Sequence, residues 1–150
     1  MKKLASFCFL FSCVLSSYGE TNLPSKVIWG KYCGECVGEC STMRQISKIQ
    51  LSIDRTNNYL KSDPQKFKYE FNGVSEPSNE FEKYKWILSV PVPYILSKGT
   101  QVFGQPDAYD QCGYYLMYSV NSIEYKALID TRKVPNELEP IIKRLFGGKL

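Results

Sequence analysis

"YYLMYSVNSIEYKALIDT", residues 114–131, is the stretch whose reading decides the fold. Leu116, Tyr118 and Val120 alternate with other residues on one arm, and Ile123, Tyr125, Ala127 and Ile129 do so on the other. Asn121-Ser122 stands between them as a two-residue turn. Period-2 alternation on both sides of such a turn predicts an antiparallel hairpin. Working outward, "KVIWG" (26–30) is β-prone and predicts a first strand. Ile49, Leu51 and Ile53 alternate with Gln50, Ser52 and Asp54 in a further strand. Met43 and Ile46 belong to a strand before it, turning at Ser47-Lys48. "KFKYEFNG" (66–73) alternates again through Phe67, Tyr69 and Phe71 and closes on an Asn72-Gly73 turn.

Two segments change period. In 75–90, Phe81, Tyr84 and Leu88 share one helical face, with Ser78 or Asn79 as N-cap and Pro91 and Pro93 as terminators. In 134–145, Val134, Leu138, Ile141, Ile142 and Leu145 line one face, and Gly147 supplies the C-cap. Pro140 favours a second segment starting near it. Residues 100–113 read as a long polar loop. The order of strands, helix, strands, helix predicts an α+β domain, with an antiparallel sheet of hairpins and helices packed on one face. "SKIQLSIDRT" echoes "SIEYKALIDT", which suggests two unequal strand-helix halves.

The N-terminus, "MKKLASFCFLFSCVLSSYGE", has the layout of a secretory leader: Lys2-Lys3, an apolar run from Leu4 to Leu15, and small residues at Ser17 and Gly19. The expectation is a signal peptide over 1–19 and one domain over 20–150, exported to a periplasmic or extracellular space. The apolar run is shorter than the ~20 residues that span a bilayer. "LFSC", ending at Cys13, offers the alternative of lipidation, and only through it would the chain be held at a membrane. Cleavage leaves 17 basic against 15 acidic residues and four of the six cysteines. A charge of +2 with no basic run longer than two residues argues against a nucleic-acid partner. The chain contains no histidine. Ser-His-Asp and Cys-His apparatus, HExxH zinc sites and histidine general bases are thereby excluded. The expectation is a non-enzyme.

The remaining cysteines are Cys33, Cys36, Cys40 and Cys112, with spacing C-x2-C-x3-C and then a distant fourth. One C-x2-C knuckle is half of the strong zinc signature, so zinc held by these four thiolates, or a redox pair, is the alternative reading. In an exported chain two disulfides are favoured, and three connectivities are open. The expected arrangement has one bridge within the cluster and one from the cluster to Cys112. Asp107 and Asp110 could bind a cation or act as paired carboxylates, but two acids do not make a calcium loop, and a solvated turn explains them. Tyr115 and Met117 face away from Leu116 and Tyr118. An open second sheet face would expose them beside Lys126 and Leu128 as a surface for another protein; a sheet buried on both sides is the alternative.

"WGKYCGECVGECSTM", "FGQPDAYDQCG" and "ALIDTRKVPNELEPIIKRL" together resemble a group of small exported, often lipoprotein-type, uncharacterised proteins of Bacteroidetes. In that group the later loop carries Cys-Pro-Asp-Cys followed by Asp. Here Gln105 and Ala108 stand at the cysteine positions, and Cys112 follows nearby. The resemblance implies that Cys112 replaces a partner supplied from that loop, and it implies no activity.

Overall fold

A computed structural model describes residues 23–33, 37–57, 69–106 and 112–147. Residues 1–22, which include the expected leader and Cys13, and also Cys36, Asp107 and Asp110, lie outside the described residues.

Seven strands form one sheet: β1 Lys26–Cys33, β2 Ser41–Ser47, β3 Leu51–Asp54, β4 Val74–Ser75, β5 Gly99–Phe103, β6 Cys112–Val120 and β7 Ile123–Asp130. Their spatial order is β4-β3-β2-β1-β6-β7-β5. Every neighbouring pair is antiparallel except β5 with β7, which is parallel. With the helices α1 Ser78–Tyr84 and α2 Glu139–Phe146, the architecture is of the α+β type.

The β6–β7 hairpin follows from its turn. Asn121 and Ser122 both take positive φ, 49° and 65°, which is the type I′ geometry whose twist matches that of the flanking strands. Register Val120↔Ile123 then fixes which side chains share a face. β2 and β3 form a second hairpin, closed by the Ser47 N–H donating to the Gln50 carbonyl at 2.9 Å. Ile49 stands exposed at its tip instead of joining the alternation of β3.

Both faces of the sheet are apolar. On the first, Val27, Trp29, Leu116, Tyr118, Ala127 and Ile129 pack with Tyr84 of α1 and with Leu138, Ile142 and Leu145 in and beside α2. Trp29 meets Tyr84 at 5.3 Å between ring centroids. Arg44 lies over the same Tyr84 ring at 5.6 Å and donates to Glu76 at 3.1 Å, tying β2 to the chain entering α1. On the second face, Ile28, Tyr32, Met43, Tyr115, Met117 and Leu128 form a separate cluster against Tyr69 and Phe71.

Three segments depart from expectation. Residues 69–73 form no strand: Tyr69 and Phe71 alternate because both rings lie on the second face, where Tyr69 meets Tyr115 edge-on at 5.8 Å. Residues 99–103, read as polar loop, form edge strand β5, whose neutral sequence GTQVF carries little strand signal beyond Val102 and Phe103. The helix expected over 75–90 is shorter. Pro77, in extended conformation, takes the N-cap place expected of Ser78 or Asn79, with no side-chain cap. After Tyr84 the chain tightens into a 3₁₀ turn, Lys85–Ser89. Val90 is then extended, as a residue before proline must be. α2 begins at Glu139 with Pro140 in its first turn and ends at Gly147, φ 80°.

Candidate functional site

Strand directions gather the connections. The C-terminal ends of β1, β3, β5 and β7 and the N-terminal ends of β2, β4 and β6 lie at one end of the sheet. The chain therefore leaves and re-enters the sheet at this end between β1 and β2, β3 and β4, and β5 and β6, and leaves it again after β7. Cys33, Cys40 and Cys112 are all here.

Cys33 and Cys112 form a disulfide with Cα atoms 4.0 Å apart. They are paired across β1 and β6. The Cys33 N–H turns the other way, donating to Cys40 O at 2.8 Å. The Cys33–Cys112 position is therefore a non-hydrogen-bonded pair, where antiparallel strands approach most closely and a cross-strand bridge fits. This is the expected link from the cluster to Cys112. Cys40 is also disulfide-bonded, and its partner lies outside the described residues. While bonded, these sulfurs offer no thiolate to a metal. Among the described residues no group of three or more His, Cys, Asp or Glu side chains is placed to hold a metal ion.

Three polar side chains hold the backbone around the bridge. Asn57 adopts φ 57°, a left-handed conformation that Asn tolerates. Its Oδ1 accepts from the N–H groups of Cys40 and Ser41 at 3.1 and 2.9 Å, and its Nδ2 donates to Gly38 O at 3.0 Å. Asp54, buried at the end of β3, accepts from Thr56 N (2.8 Å), Thr56 Oγ1 (2.6 Å), Tyr69 Oη (2.5 Å) and Asn72 N (2.9 Å). Burial opposes its charge, but these donors prevail and hold its carboxyl below the usual carboxylate range. Burial and the Asp54 charge push the Tyr69 phenol upward. Asp130, buried at the end of β7, accepts from Arg132 N at 2.9 Å and Gln105 N at 3.3 Å. The Arg132 N–H dominates in holding its carboxyl low against the effect of burial, helped by Gln105 and the charges of Arg132 and Lys133. Gly104, φ 75°, allows this approach: a Cβ there would stand 2.6 Å from that of Asp130.

The strand residues expected on an open face are not on a surface. Tyr115, Met117 and Leu128 are 2%, 3% and 4% exposed. Tyr69 and Phe71 pack against the cluster these three belong to, and the face offers no exposed patch of these three residues. Lys126 remains partly exposed, in register with Met117, and pairs with Glu124 at 2.6 Å. Among the described residues of the bridged end, Val37, between Cys33 and Cys40, is fully exposed, and Val74 at the start of β4 is largely so.

Asn57, Asp54 and Asp130 were not singled out from sequence as site residues. Asn57 read as a turn signal, and the shared "ID" of "LSIDRT" and "ALIDT" was the trace of the two carboxylates. Among the described residues no helix is long and apolar enough to cross a membrane. No family model, curated protein or solved structure matches the chain.

Proposed function

We propose that the chain is an exported, disulfide-braced binding or inhibitory module that recognises another protein through the bridged end of its sheet, without chemistry of its own. The observation that carries this reading is how the polar groups at that end are used. Asn57, Asp54 and Asp130 direct their hydrogen-bonding capacity at the backbone of 38–41, 56, 72, 105 and 132. A carboxylate already accepting its own chain's donors is poorly placed as a general base or a metal ligand. The same groups set segments of four connections in fixed positions, which lowers the ordering cost that loops otherwise incur on binding.

Side chains of α1 and α2 pack with the cluster on the first face, and Tyr69 and Phe71 with that on the second, which favours the bridged end as the place for a partner. Exposed Val37 gives it an apolar contact point of the kind that suits the centre of an interface. Export is supported by the leader over 1–19 and by disulfides, which persist in oxidising compartments. The bonded state of Cys33, Cys40 and Cys112 favours a structural role over thiolate metal or redox chemistry.

The test is capture of a partner from the exported-protein fraction by the mature chain. Val37→Asp should abolish retention and Ile49→Asp, at the opposite end, should leave it intact. Retention that is indifferent to Val37 and sensitive to Ile49 would reject the bridged end as the site.

A further inference from the structure

A groove of about 310 Å³ lies over the second face beside β2 and β3, away from the bridged end. It is lined by Gln45, Ser47, Gln50, Ser52, Phe71, Asn72 and Gly73. Its volume is at the small end of the ~300–1,000 Å³ typical of ligand clefts. Every lining side chain is neutral. Lys26, paired with Ser47 across β1 and β2, is not among them.

The groups in the groove, with Ser75 beside it, are ordered. Gln45, Ser52 and Ser75 stand in one cross-strand row. The Gln50 amide donates to Ser52 Oγ at 2.9 Å and to Ser75 Oγ. Each of these hydroxyls, having accepted, keeps its own proton to give. The Phe71 ring lies against the backbone of Gly73, where any Cβ would collide with it and with Ile53 O, and it is braced by Tyr69 at 6.4 Å, edge to face. The result is a row of hydroxyl and amide groups held beside the Phe71 side chain.

We propose that this groove binds a neutral polyhydroxylated ligand, a glycan. Paired donors and acceptors match the vicinal hydroxyls of a sugar ring. A phosphate, sulfate or carboxylate would lose its water there with no cation to replace it. The site is separate from the bridged end and does not depend on what that end binds.

The test is a backbone-amide NMR titration of the mature, oxidised protein with cellobiose, lactose, mannobiose and chitobiose, and with glucuronic acid as the charged comparison. At least one neutral disaccharide should shift Ser47, Ser52 and Gly73. Gln45→Ala, and separately the same-sized Gln45→Glu, should weaken that binding about tenfold or more, the effect of one lost good hydrogen bond. Val37→Asp should not change it. The methyl glycoside of the best binder distinguishes a sugar within a chain, which still binds, from a free reducing end, which does not; either supports the groove. The proposal is overturned if no neutral disaccharide moves those amides at millimolar concentration, if glucuronic acid binds best, or if both Gln45 variants bind as the parent does.

Discussion

Asp54 and Asp130 end β3 and β7 in the same way. Each accepts on Oδ1 the N–H of the residue two positions on, Thr56 at 2.8 Å and Arg132 at 2.9 Å. Each accepts on Oδ2 a backbone N–H from another segment, Asn72 at 2.9 Å and Gln105 at 3.3 Å. The short turn that an aspartate makes with its own chain is common. Here the second oxygen ties a distant segment to the strand end, so two carboxylates serve as braces on either flank of the Cys33–Cys112 bridge.

Because both carboxyls are held below the usual value of 3.8, stability should depend on pH in one direction. The unfolded chain, with aspartates near 3.9, binds more protons than the folded one between that value and the lower folded values. The stabilisation is fully present above about pH 5 and is lost as pH falls through the folded values. Asp54→Ala should cost about 3 kcal/mol and flatten this acid-side slope, since it strands buried donors. Tyr69→Phe should cost about 1.5 kcal/mol. Urea unfolding from pH 7 down to pH 2.5 checks both, and an unchanged slope in Asp54→Ala would refute the brace.

Asn57 holds residues 38, 40 and 41 through one side chain. Asn57→Ala should destabilise by about 1–2 kcal/mol, through two lost acceptor contacts and a left-handed φ that alanine resists. The distinctive sign is local. Hydrogen exchange at the Cys40 and Ser41 amides should quicken while that of the β6–β7 hairpin stays protected. Equal loss of protection in both places would show a global effect instead.

The Cys33–Cys112 bridge spans 79 residues. In the chain-entropy account that closure contributes about 4.5 kcal/mol, an upper figure. The double variant Cys33→Ala/Cys112→Ala should therefore lose several kcal/mol yet keep its hairpins. Intact mass after alkylation without reduction, on denatured mature protein, should find Cys33, Cys40 and Cys112 unmodified by the alkylating reagent. Alkylation of any of them would revive the thiolate reading.

The sequence made the hairpins legible because period-2 alternation and a two-residue turn are local signals. Asn121-Ser122 needs no distant partner to be read. A link from the cysteine cluster to Cys112 was legible through cysteine count and the expected compartment, but not that Cys33 makes it. β5 was not, because Gly99–Phe103 is a neutral edge strand whose parallel pairing with β7 depends on residues more than twenty positions away. The burial of Tyr115 and Met117 stood in the sequence only as the alternative to an open face, for a related reason. Alternation says which residues share a face, not what lies over it, and Tyr69 and Phe71, which pack there, come from a distant segment. The apolar character of Tyr115, Met117 and Leu128 was itself the sign of a sheet dry on both sides.

The most direct test of the central claim, that the bridged end is the recognition surface, is photo-crosslinking in the exporting cell. A photo-activatable side chain is placed at position 37 in one variant and at position 49 in another. The account predicts a covalent adduct to one defined exported protein from position 37 and none from position 49. Adducts from position 49 alone, or from neither position, would contradict it.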